Sequence, residues 1–193
     1  MKQLLIIATA FAGLLLTSCG NSEYTPRPRG YPRIYFPEHS YRTFSSECPY
    51  EFSYPVYAEM LKDPAYTVEP CWYNLHFKPF NATLHLSYKH YSSPAQFDSL
   101  FNDTRKLAYK HTIKAEEIEE VEISKGDSMQ GLIYELKGNT ATNLNFYVCD
   151  GRQHFLRGAL YFNSKTQPDS IEPVFKFVQQ DIYKLLETVR WKH

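Results

Sequence analysis

VEISKGDSMQGLIYELKGNTATNLNFYVCDGRQHFLRGALYF, residues 121–162, is the stretch that sets the architecture. Val121 and Ile123 begin a strand pattern. Gly126-Asp127 makes a turn before Leu132, Tyr134 and Leu136, which alternate with other residues. Gly138-Asn139 turns the chain again, and Leu144, Phe146 and Val148 form the next alternating run. Asp150-Gly151 is a further turn signal, lengthened by Arg152-Gln153, before Leu156, Gly158, Leu160 and Phe162. A side-chain period of two assigns each run to β-strand. Parallel neighbours need a crossover of a dozen or more residues, so these short turns predict an antiparallel meander.

On its C-terminal side, Ile171, Val174, Phe175, Val178, Ile182, Leu185, Leu186 and Val189 form one apolar helical stripe. Asp169 is a candidate cap, Glu172 and Pro173 suit a first turn, and Arg190, Lys192 and His193 suit the negative end of the helix dipole. On the N-terminal side a second helix starts legibly. Ser93 serves as N-cap, Pro94 falls at N1, and Gln96 completes a capping box. Phe97, Leu100, Phe101, Thr104, Ala108 and His111 follow at helical spacing. The acidic run of Glu116, Glu117, Glu119, Glu120 and Glu122 reads in its first half, residues 115–120, as a helical turn with a solvated face.

Further upstream, residues 75–91 carry two strand patterns broken by Pro79. In the second, Ala82, Leu84, Leu86 and Tyr88 share one face, and Thr83, His85, Ser87 and Lys89 the other. Residues 34–72 are aromatic and proline-rich, which favours short strands and turns, with a helical turn or two over 58–63. The expected class is α+β, a mostly antiparallel sheet flanked by two amphipathic helices on one face or both. By element order alone it resembles the Mog1/PsbP-like fold.

The first residues describe a leader. Lys2 precedes an apolar run over 4–16, and Leu16-Thr17-Ser18-Cys19 closes it. That is a secretory signal, too short to span a bilayer as a helix of about 20 residues. Leu-Thr-Ser-Cys resembles a bacterial lipobox, whose cysteine is acylated and becomes the mature N-terminus. Residues 1–18 are expected to be the signal peptide, 19–33 a lipidated tether, and 34–193 a single globular domain. One acyl chain binds a membrane marginally, at about 0.8 kcal/mol per buried CH₂, so stable attachment requires more than one. Pro26, Pro28 and Pro32 make the tether extended, with Arg27, Arg29 and Arg33 spaced along it. Those arginines read as a solvated linker, as a basic stretch near anionic headgroups, or as a docking segment for a partner. Gly20 after Cys19, by analogy with known sorting rules, points to the outer membrane, and residues 20–24 to its periplasmic face.

Removing residues 1–18 takes away Lys2 and no acid, leaving 20 basic against 21 acidic residues. That balance argues against a nucleic-acid partner, which would require a basic patch. With Cys19 lipidated, Cys48, Cys71 and Cys149 remain. A Cys48–Cys71 disulfide is expected, since both flank one irregular aromatic segment, whereas Cys149 sits in a strand pattern and suits a small buried group. A zinc site is the rival, but neither CxxC nor HxxxH spacing occurs. His85 and His90 fall on opposite strand faces, and His76 and His154 meet only if their strands are neighbours. No nucleophile elbow, phosphate-cradling loop or H-E-x-x-H motif is present, so no catalytic residue, metal or cofactor is expected. The strip of Tyr50, Phe52, Tyr54 and Tyr57 reads either as packing under the disulfide or as an exposed partner surface.

Several segments together carry a resemblance. They are YTPRPRGY at 24–31, Ile34 with Phe36-Pro37-Glu38, Cys48-Pro49-Tyr50, Cys71-Trp72-Tyr73-Asn74, LHLSYK at 84–89, YVCDG at 147–151 and HFLRGALYF at 154–162. They resemble the gliding motility lipoprotein GldD family of Bacteroidetes across nearly the whole mature chain. The resemblance implies a non-enzymatic envelope component needed for gliding and linked to type IX secretion, whose partners are the bilayer, through acylated Cys19, and other gliding or secretion proteins. Arg27, Arg29, Tyr50, Phe52 and Tyr54 are the candidate partner surface. The alternative is an envelope lipoprotein that binds a small ligand, such as a peptidoglycan or other glycan fragment, through its aromatics.

Overall fold

Among the described residues, a computed structural model shows ten strands and two α-helices. The structure describes residues 33–67, 69–110, 115–138, 140, 142–163 and 168–192. The chain divides between Ile34 and Tyr35, and the architecture is that of the unit from Tyr35 onward. In chain order the elements are β1 (Tyr41–Ser45), β2 (Tyr50–Pro55), β3 (Glu59–Lys62), β4 (Tyr73–Phe77), β5 (Ala82–His90), α1 (Pro94–Lys110), β6 (Ala115–Ser124), β7 (Gln130–Gly138), β8 (Thr142–Cys149), β9 (His154–Phe162), α2 (Pro168–Thr188) and β10 (Arg190–Trp191).

The meander forms as its spacing predicts. The seven-stranded sheet runs β3-β4-β5-β9-β8-β7-β6, and its neighbouring strands pair antiparallel throughout. Gly151 takes φ +70° in the β8–β9 turn, where a side chain would be strained. Gly158 answers a different need, since a Cβ there would lie 2.2 Å from the ring of buried Phe146 on the neighbouring strand. The second sheet, β1-β2-β10, is small and antiparallel.

The helices take opposite faces of the large sheet. Val178, Ile182, Leu185, Leu186 and Val189 of α2 join Leu84, Leu86, Ile133, Phe146, Val148, Leu156 and Leu160 in the main core. That core also contains Tyr50, Phe52 and Tyr54 of β2, so the small sheet and α2 share one side. On the other side Ala108 of α1 packs with Tyr134 and Leu136, and Phe97 and Leu100 pack against Tyr91, Cys149 and Phe155. β8 is therefore largely buried on both faces, whereas β5 leaves His85 exposed on the α1 side. The start of α1 closes as a variant capping box: Ser93 Oγ accepts from the Gln96 N–H at 3.3 Å, and Gln96 Oε1 accepts from the Ser92 N–H at 2.8 Å.

Three local expectations fail, each because tertiary pairing overrides local preference. Residues 115–120 are not a helical turn. They open the edge strand β6, whose Ile118 packs toward α1 while Val121 and Ile123 pack toward α2. The exposed Glu117, Glu119, Glu120 and Glu122 line that edge and discourage another strand from adding to it. The helical turn expected over 58–63 is β3, in register with β4 through Met60 and Leu75. At the C-terminus, α2 stops at Thr188 and Arg190–Trp191 pair with β2, so Arg190 is a strand residue and not a helix-end cation. Lys192 Nζ donates instead to Ser46 O at 2.6 Å and Ser45 Oγ at 3.0 Å. The side chain of Asp169 and the whole of His193 lie outside the described residues.

Candidate functional site

Two places gather polar groups: the point where the chain enters the body, and a cavity under α1. At the entry, the segment after Tyr35 has no regular structure until β1. Phe36 stacks on Phe177 of α2 at 4.6 Å between ring centroids, and His39 stacks on the same ring at 4.3 Å. Next to them, the α2 residue Asp181 is 1% exposed, so its carboxylate needs partners. His39 Nδ1 lies 2.7 Å from Oδ1, the Tyr41 hydroxyl donates to Oδ1 at 2.9 Å, and the Tyr57 hydroxyl donates to Oδ2. Burial first, then the hydrogen bond and charge of Asp181, push both phenols far above their ordinary pKa and hold them as protonated donors. The first residues of the body are thus clamped onto the long helix.

Of the two readings of the aromatic strip, packing holds for Tyr50, Phe52 and Tyr54, and the partner-surface reading does not. Tyr50, Phe52 and Tyr54 are 0%, 1% and 7% exposed. The cause is that β2 is the middle strand of the small sheet, with α2 packed on it. Alternation cannot say whether a single apolar face looks to water or to a core. Phe44 stacks on Phe52 at 5.2 Å, Tyr50 lies 5.7 Å from Tyr88, and the Tyr50 hydroxyl donates to Cys71 O at 2.8 Å. Cys48 and Cys71 form a disulfide with Cα atoms 5.6 Å apart, which ties the β1–β2 connection to the approach of β4. Cys149 is free and buried, and burial pushes its thiol pKa up. Cys19, Arg27 and Arg29 lie outside the described residues.

The cavity under α1 measures about 330 Å³ and is lined by His85, Ser87, Thr104, Leu107, Asn145, Arg157, Ala159 and Tyr161. Its floor is the face of β5, β8 and β9 opposite α2, and its wall is α1. An ordered chain of groups stands behind His85. Asn74 Nδ2 donates to Asp63 Oδ2 at 2.9 Å, and Asn74 Oδ1 lies 2.6 Å from His85 Nδ1. A carboxylate only accepts, so the Asn74 amide nitrogen faces Asp63 and its oxygen faces the imidazole. His85 therefore carries its proton on Nδ1 and offers a lone pair at Nε2. Desolvation lowers the His85 pKa, against the opposing pull of Asp63, which favours that neutral form. Arg157 is half-buried and forms no ion pair among the described residues. Desolvation pulls its pKa down, with Tyr161 and Asp103 opposing.

His76 and His154 do not meet, although His90 on β5 pairs across from His154 on β9. His76 on β4 and His154 on β9 are separated by β5. His154 stacks on Trp191 at 5.2 Å and lies 2.8 Å from the Tyr88 hydroxyl. Among the described residues, no group of three His, Cys, Asp or Glu could hold a metal ion. Sequence reading passed over Asp181 and the Asp63–Asn74–His85 chain. Asp181 had a signal, an acid three residues after Val178 and one before Ile182 on an otherwise apolar stripe. The His85 chain had none, because it joins three separate elements of the chain.

The gliding motility lipoprotein GldD family model matches residues 21–191. No curated protein matches the chain in sequence. Among solved structures, the solution structure of cyanobacterial PsbP (CyanoP) from Synechocystis sp. PCC 6803 is similar at a TM-score of 0.50 and 11% identity, covering 92% of this chain and 99% of that one. A likeness at that identity concerns the fold alone, and it supports the PsbP-like α+β architecture.

Proposed function

The chain belongs to the gliding motility lipoprotein GldD family, and from that premise we propose a membrane-anchored, non-enzymatic component of the gliding and type IX secretion machinery. Acylated Cys19 holds it to the outer membrane, facing the periplasm, and it works by keeping neighbouring envelope proteins in place. No helix among the described residues is long and apolar enough to cross a membrane, which suits attachment by acyl chains.

The observation that carries the holding role is the Asp181 clamp. A tether that merely localised the body would need no more than a flexible joint. Here three side chains from the start of the body, His39, Tyr41 and Tyr57, converge on one buried carboxylate of the long helix α2. A pull on the anchor would reach the core through charge-assisted hydrogen bonds, which are about twice as strong as neutral ones. Cys48 and Cys71 are bonded to each other and Cys149 is buried with its thiol pKa raised, so none of these three cysteines is poised as a nucleophile.

In-cell crosslinking followed by purification of the lipidated protein tests this. Recovery of gliding or secretion envelope proteins, crosslinked to residues beyond Tyr35, is the expected result. A protein that crosslinks to lipid but to no envelope protein would contradict the reading.

A further inference from the structure

The cavity under α1 is built for more than packing. A cavity of about 330 Å³ lies at the lower end of the range for small-ligand sites, roughly 300–1,000 Å³. Its lining mixes one cation with several acceptors. Asn145 donates one Nδ2 N–H to Thr142 Oγ1 at 2.9 Å and has Oδ1 as an acceptor. Thr104 donates its hydroxyl to Leu100 O at 2.9 Å, so its oxygen too is left as an acceptor. His85 adds the Nε2 lone pair fixed by Asn74 and Asp63. Leu107 and Ala159 contribute apolar surface, and the Tyr161 ring meets His85 edge-on at 5.4 Å.

We propose that this cavity binds a hydroxylated carboxylate, a sugar acid in chemical class, with Arg157 taking the carboxylate and His85, Asn145 and Thr104 accepting from hydroxyls. A guanidinium pairs with a carboxylate through two parallel N–H bonds, and in this half-buried setting such a pair is stronger than in open water. The acceptor atoms Asn145 Oδ1, Thr104 Oγ1 and His85 Nε2 suit ligand hydroxyls, which can donate to each of them. A neutral sugar would leave Arg157 without a carboxylate, so the site selects for the acid. This binding role does not depend on the anchored scaffold, and either can stand without the other.

The test uses the lipidated protein in detergent, titrated calorimetrically with N-acetylmuramic acid and glucuronic acid, and with N-acetylglucosamine and glucose as their neutral counterparts. Saturable binding of at least one acid is expected, with its neutral counterpart weaker by about tenfold or more. Arg157→Gln is expected to weaken acid binding by a similar factor. Absence of saturable binding by either acid, or equal binding by native protein and Arg157→Gln, overturns the proposal. If Arg157→Gln loses its cooperative thermal transition, Leu107→Trp decides in its place. Leu107 lines the cavity and is 44% exposed, so an indole there fills the space with little cost to the core. Lost acid binding in Leu107→Trp supports the site, and unchanged binding overturns it.

Discussion

Asp181 shows how one residue can decide whether the start of a folded body is fixed or loose. Its carboxylate has two oxygens and three neighbouring side-chain groups. Asp181→Ala would leave the Tyr57 and Tyr41 hydroxyls without their Asp181 acceptor, at a cost of about 1–3 kcal/mol. Urea unfolding is expected to show that loss with an unchanged m-value. Gly158→Ala makes a separate prediction, a loss of about 1–3 kcal/mol, because the added methyl meets the Phe146 ring and neither strand can retreat. A third concerns acid. Burial alone would raise the Asp150 carboxyl, but N–H bonds from Arg152, Gln153 and His154 to its Oδ1 hold its pKa below the usual value. A carboxyl lowered in the folded state adds stability above its unfolded pKa of about 3.9, and that stability fades as pH falls through the folded value. Native protein should therefore exceed Asp150→Asn in stability near neutral pH, and the gap should close below about pH 4. A gap that stays constant down to about pH 2 would mean the charge is irrelevant.

Among the elements, the ones legible in sequence were those whose pattern and partners lie close together in the chain. β7, β8 and β9 are joined by turns, so their alternation fixed both pairing and direction, and α2 announced itself by an unbroken stripe. Elements paired over long distances were harder. β10 is two residues that pair with β2 from the other end of the chain, and no local signal separates them from a fraying helix end. β6 carries glutamates that favour helix, and only its register with β7 makes it a strand. The cavity was illegible for the same reason: its lining comes from β5, α1, β8 and β9. The aromatic strip was legible as a strand but not as core, since both readings share one period. At this scale the Cys48–Cys71 bond joins the approaches to the two sheets across a sequence separation of 23. Replacing both cysteines by alanine is expected to cost about 3 kcal/mol by the chain-entropy argument, read as a lower urea midpoint.

For the whole molecule, the proposed role requires an anchor at Cys19, a tether and the body to be joined. The body has its own hydrophobic core. The proposed role does need the lipid, because a scaffold that has drifted from the membrane could not hold anything there. The most direct measurement is complementation of a deletion strain with native protein or Cys19→Ala, reading spreading and secreted protein, with the variant's envelope level matched by immunoblot. Native protein is expected to restore both traits, and Cys19→Ala to restore neither while accumulating as a folded soluble body. Full restoration by the unlipidated protein would contradict the account.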